Sequence, residues 1–123
     1  MLDGKKILVA EDDETSLEAY KAYFGIKKET KLAKMFYAKN TRECLDILDN
    51  EKPDWLLLNL GLEDTNPLSG LKILHNYKDK VKIIVITGYD EFKQQCLEDG
   101  AVNFLRKPIV DPKQLIAFML VHS

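Results

Sequence analysis

Three short stretches of this chain stand out as apolar at every position between polar flanks. They are Ile7-Leu8-Val9-Ala10, Trp55-Leu56-Leu57-Leu58 and Ile83-Ile84-Val85-Ile86, each bounded on both sides by polar or charged residues. A strand points successive side chains to opposite faces, so a strand with one face in water needs an apolar residue only at every second position. Unbroken apolar runs this short suit strands buried on both faces, as in a parallel sheet covered by helices. Val102 to Leu105 is a weaker fourth run, and Lys34 to Ala38 is the least regular strand candidate.

Helical spacing fills the intervals. Leu17, Tyr20 and Phe24 share one face, as do Leu45 and Leu48 after a possible cap at Asn40 or Thr41. Leu71, Leu74 and Tyr77 repeat the pattern. Phe92 and Cys96 do so again, with Gly100 where a helix C-terminus favours glycine. A fifth helix is expected to begin near Asp111, with Pro112 in its first turn. Five strands alternating with five helices imply an α/β fold, a doubly wound parallel (βα)5 sheet of order 2-1-3-4-5, which is flavodoxin-like. The 123 residues suffice for one hydrophobic core. The expectation is one domain over residues 1–123, ending with the fifth helix and with no output domain.

Charge and cysteine usage narrow the function classes. A net charge of −2 gives no reason to expect direct nucleic-acid binding. The basic cluster Lys27, Lys28, Lys31 and Lys34 is interrupted by Glu29 and reads as a solvated face. Cys44 and Cys96 match no metal-ligand spacing and read as core residues in a reducing compartment. The apolar run after Lys5 and Lys6 is too short for a signal peptide, and no stretch approaches a membrane span. A cytoplasmic location is expected.

In an open parallel sheet, ligands bind beyond the carboxyl ends of the strands where the strand order reverses. The first strand exits into Glu11-Asp12-Asp13, the third into Asn59, the fourth into Thr87, and the fifth into Lys107 before Pro108. Clustered carboxylates repel one another unless a cation joins them, and oxygen ligands suit a hard divalent ion, magnesium above all. Opposite them, Lys107 and Thr87 could hold a phosphoryl group by charge and by hydrogen bond. Singly these residues mean little, and Asp13 reads equally well as a helix cap. Their joint position at the strand exits carries the functional reading.

Four motifs then resemble the receiver domain of two-component response regulators: Ile7 to Asp13, Pro53 to Asn59, Ile86-Thr87-Gly88, and Phe104-Leu105-Arg106-Lys107-Pro108. The resemblance covers essentially the whole chain. It implies a signalling domain rather than an enzyme in the ordinary sense. Glu11 and Asp12 would be the acidic pair, with Asp12 a direct Mg2+ ligand and the Gly61 backbone carbonyl another. Thr87 would be the switch hydroxyl, Phe104 the aromatic that swings inward behind it, and Lys107 the phosphate-binding lysine. The Lys107–Pro108 bond would be cis. The partner would be a histidine kinase or phosphotransfer protein. The face of helix four, strand five and helix five would serve a homodimer or output partner.

Two features depart from that family. Asn59 stands where the phosphate-accepting aspartate belongs, and a neutral amide cannot form an aspartyl phosphate. Its oxygen could still ligate a cation, more weakly for the lost charge. Two origins fit Asn59: a natural receiver that signals without phosphate, or replacement of an aspartate in a competent parent. Retention of Glu11, Asp12, Thr87 and Lys107 favours the second. The other departure is a long path from Asn59 to Gly70, the glycine that by the resemblance would open helix three, with Glu63 and Asp64 placing extra acid near the pocket mouth.

A phosphate-independent adaptor is the main alternative. A flavin carrier on the same fold is disfavoured, because Glu11-Asp12-Asp13-Glu14 would repel its phosphate. Leu115 to Val121 is apolar throughout, so part of it should face outward, with Phe118 and Val121 as candidates. His75 reads as solvated, His122 as a frayed terminus, and Trp55 as core.

Overall fold

The computed structural model describes residues 2–62, 66–107 and 112–123. Five strands, β1 (Lys6–Ala10), β2 (Lys34–Ala38), β3 (Trp55–Leu58), β4 (Lys82–Thr87) and β5 (Asn103–Arg106), alternate with helices. The helices are α1 (Glu14–Ile26), α2 (Thr41–Glu51), α3 (Pro67–Tyr77), α4 (Lys93–Asp99) and α5 (Lys113–His122). The sheet is parallel in every pairing, and its order is β2-β1-β3-β4-β5.

The period of two in each inner strand divides the core into two layers. Leu8, Ala10, Leu56, Leu58, Ile83 and Val85 face one side, where Cys44, Leu48, Ile73, Leu74 and Cys96 cover them. Ile7, Val9, Trp55, Leu57, Ile84 and Ile86 face the other, under Leu17, Phe24, Leu115, Ile116 and Met119. The runs are apolar throughout because each strand feeds both layers. Both cysteines are buried and free. Burial pushes the Cys44 thiol up to about 12 and the Cys96 thiol, with Asp99 adding to the effect, up to about 11. Thiolate chemistry at neutral pH is thereby suppressed.

Caps set the helix starts. Asn40 caps α2, its side chain accepting from Glu43 N at 2.8 Å; replacing such a cap by alanine costs about 1 kcal/mol. Asp13 caps α1 by accepting from Ser16 N at 2.8 Å. Asn66 caps α3, which therefore opens at Pro67 and not at Gly70. Part of the expected long loop is helical, and Glu63 and Asp64 lie outside the described residues. Phe92 belongs to a short 3-10 turn, Asp90–Phe92, ahead of α4. Gly100 ends α4 at φ +118°, a conformation that glycine adopts without a Cβ penalty. Val102 precedes β5 and is exposed. Asp111 and Pro108, with its expected cis bond, lie outside the described residues, and α5 begins one residue after Pro112. Among the described residues no helix is long and apolar enough to cross a membrane.

His75 is exposed but not merely solvated. Asp99 on α4 takes Lys78 Nζ at 2.8 Å and His75 Nδ1 at 3.1 Å, clamping α4 to α3. Lys78 first, then His75, holds the Asp99 carboxyl below its ordinary value of 3.8. Ser16, through its backbone N–H and then its hydroxyl, does the same to Asp13. A carboxyl lowered on folding stabilises the fold above its ordinary value, and that stabilisation is lost as pH falls through the lowered value. The unfolding midpoint is therefore expected to drop as pH is taken below about 4. Asp99→Asn should flatten part of that slope. A slope unchanged in Asp99→Asn would contradict the clamp.

Candidate functional site

The sheet ladder positions the site. Ala10 pairs with Leu58 and with Ala38. The ladder runs one residue further on each side: Asn59 N donates to Ala10 O at 3.1 Å, and Glu11 N donates to Ala38 O at 2.9 Å. On the far side Lys107 N donates to Thr87 O at 2.9 Å. The residues that leave the strands are thus held in register by the bonds that build the sheet. Glu11, Asp12, Asn59, Gly61, Thr87 and Lys107 share the wall of one shallow cavity of about 540 Å³.

Its acids are partly compensated from within. Glu11 is 1% exposed, which an isolated carboxylate could not sustain. One of its oxygens is ion-paired with Lys107 Nζ. The other accepts from Asp13 N at 3.1 Å and from Asn59 Nδ2 at 3.1 Å. The same Asn59 Nδ2 donates to Asp12 Oδ1 at 3.1 Å. The amide thus bridges both acids by hydrogen bonds. Asp12 is exposed at the rim yet partly desolvated toward the pocket. That desolvation, reinforced by Glu11, raises its carboxyl above the ordinary 3.8, against smaller opposing effects from its own backbone and Lys107.

Thr87 is fully buried, and its hydroxyl oxygen accepts from Tyr89 N at 3.2 Å. Phe104 is not part of the cavity wall; it is buried in the core layer with Val85 and Cys96. Asp13 lines the mouth while its carboxylate caps α1. Sequence reasoning missed Tyr89, which also lines the cavity and packs edge-on against Phe92 with centroids 6.2 Å apart. Its place two residues beyond Thr87 was the only signal for it.

Hydrogen bonds to charged acceptors contribute about 1.5–3 kcal/mol each, less at the exposed Asp12 end. Asn59→Asp removes both donors and sets a third carboxylate against the first two. Without divalent cation it is expected to lose about 2 kcal/mol of stability. Thermal midpoints measured in chelator check this, and an aspartate form that melts higher would refute it.

The family model of the response regulator receiver domain matches residues 7–119. The chain belongs to that family. The receiver is similar to the sensory transduction protein LytT of Bacillus anthracis, 28% identical over 103 residues that cover 84% of this chain and 41% of LytT. Sporulation initiation phosphotransferase F of Bacillus subtilis is 31% identical over 75 residues, covering 59% of this chain and 60% of that protein. The receiver thus spans less than two thirds of either relative. Among solved structures, a CheY-like response regulator receiver domain protein from Methanospirillum hungatei superposes with a TM-score of 0.80 at 26% identity, over 98% of this chain and 94% of the other.

The receiver's donor set suits a hard cation in kind. Glu11 and Asp12 offer carboxylates, and Gly61 lies on the same wall. The Asn59 amide, however, presents its N–H groups to the acids. It would have to turn its oxygen inward to become a ligand. Among the described residues no group of three or more His, Cys, Asp or Glu side chains is arranged to hold a metal.

Proposed function

We propose that this receiver works in a two-component phosphorelay, in the unphosphorylated state that Asn59 imposes. The observation that carries the proposal is the Asn59 amide seated between Glu11 and Asp12, with Lys107 and Thr87 on the same cavity wall. With aspartate at position 59, the pocket would accept a phosphoryl group from a histidine kinase or phosphotransfer protein. Glu11, Asp12, the residue-59 oxygen and the Gly61 carbonyl would hold Mg2+, which when bound offsets negative charge on the incoming phosphoryl oxygens. Lys107 would hold those oxygens by charge and Thr87 by hydrogen bond, while buried Phe104 follows Thr87 as the inward-packed aromatic. In the present chain the missing carboxylate removes the covalent step and weakens Mg2+ binding.

A ligand that binds only the folded form raises the unfolding midpoint by mass action. Excess Mg2+ should therefore raise the midpoint of Asn59→Asp clearly and that of the present chain much less. Adding Glu11→Gln to Asn59→Asp should abolish the rise. If Asn59→Asp does not respond to Mg2+, the pocket is not of the phosphoacceptor kind. A phosphate-independent adaptor is the second reading. It is favoured by the internal bonding of the pocket, where Lys107 pairs with Glu11 and the Asn59 amide donates to both acids.

A further inference from the structure

A second hollow, of about 670 Å³, lies between the C-terminal part of α1 and the length of α5 and shares no lining residue with the acidic pocket. Tyr23 and Ile26 form its α1 wall, and Ile116, Ala117 and Leu120 form its α5 wall. Ile26 is 77% exposed, an apolar side chain left in water beside an apolar groove.

Part of the α5 run was expected to face outward, with Phe118 and Val121 as candidates. Leu115, Ile116 and Met119 are buried, and Phe118 packs edge-on against Trp55 at 6.3 Å. Val121 is exposed, and Ala117 and Leu120 open toward α1.

The rim charge says what fits there. Lys27, Lys28 and Lys113 surround the groove with one acid, Glu29, in a chain whose net charge is −2. A second copy docking groove to groove would bring like-charged rims together, which is unfavourable. An amphipathic helix sets apolar anchors at i, i+3 and i+7 into such a groove, and acids beside its stripe would complement the lysines.

We propose that the α1–α5 groove docks an amphipathic helix that carries acidic residues along the edges of its apolar stripe. This does not depend on the chemistry of the acidic pocket. The test uses the whole chain and a labelled synthetic helix with leucines at those spacings and glutamates beside them, read by fluorescence anisotropy. A matched peptide with lysines for the glutamates is the control. The acidic helix is expected to bind, more weakly as salt rises, and the lysine peptide is expected not to bind. Ile26→Asp, the pair Lys27→Glu with Lys28→Glu, and Ala117→Glu alter exposed or rim positions, and unchanged thermal midpoints verify their folding. Each should weaken binding by about tenfold or more. No binding of the acidic helix, equal binding of both peptides, or binding unmoved by these variants would overturn the proposal. So would a concentration-dependent dimer in sedimentation that Ile26→Asp dissolves, because the groove would then belong to a second copy.

Discussion

Gly70→Ala is expected to destabilise the fold by about 3 kcal/mol, although alanine is the better helix former. Two effects oppose each other at this position. Inside a helix, replacing glycine by alanine recovers up to about 1 kcal/mol of backbone entropy. A Cβ on Gly70, however, would sit 2.5 Å from Leu60 Cα and 2.6 Å from Leu60 O. Those are backbone atoms, and Gly70 N already donates to the same carbonyl at 3.2 Å. Neither side can yield without moving α3 away from the exit of β3, so the clash should win. Gly25, in α1, has nothing within 4 Å of its would-be Cβ, and Gly25→Ala should be neutral or stabilising by up to about 1 kcal/mol. Urea unfolding of both variants separates the two effects. If Gly70→Ala were as stable as Gly25→Ala, the close approach of α3 to Leu60 would be wrong. Because Leu60 lies between Asn59 and Gly61, this contact also fixes the edge of the acidic pocket.

The strands were legible because burial on both faces writes itself as unbroken apolar runs, which is why β1, β3 and β4 could be read directly. The cap of α2 was legible to within one residue, as Asn40 or Thr41, because side-chain capping is a local event. The start of α3 was not read correctly. Gly70 looked like the opening residue because the receiver resemblance implies a glycine there, and its actual reason, the backbone of Leu60, is a tertiary contact. His75 looked solvated because its partner, Asp99, is on another helix. The apolar run of α5 was legible as having an outward part, but the neighbour across from that part, α1, was not.

The strand exits pointed Glu11, Asp12, Asn59, Thr87 and Lys107 to one place, and all five line one cavity. Which groups bond was not legible. Both carboxylates accept the Asn59 amide and Lys107 closes on Glu11. Those pairings depend on side-chain directions that strand order does not specify. Asp13 could be read two ways from sequence; its bonds to Ser16 make it a cap.

Phosphoryl transfer to position 59 tests the central claim most directly. In Asn59→Asp, a carboxylate oxygen can attack the phosphorus of acetyl phosphate, forming the new oxygen–phosphorus bond as the donor's bond breaks and acetate leaves with its electron pair. The amide of Asn59 is neutral, and its nitrogen lone pair is delocalised, so on the proposed reading position 59 of the present chain offers no nucleophile. Removing Lys107 from the Asn59→Asp chain should slow the transfer by about 10²–10³-fold, the usual scale for losing one charge-stabilising group. The measurement is intact mass followed by peptide mapping after incubation with acetyl phosphate and Mg2+. The expected result is one base-labile phosphoryl group on residue 59 of Asn59→Asp and none on the present chain. A phosphoryl group on the present chain, none on Asn59→Asp, or one carried by another residue such as Asp12 would contradict it.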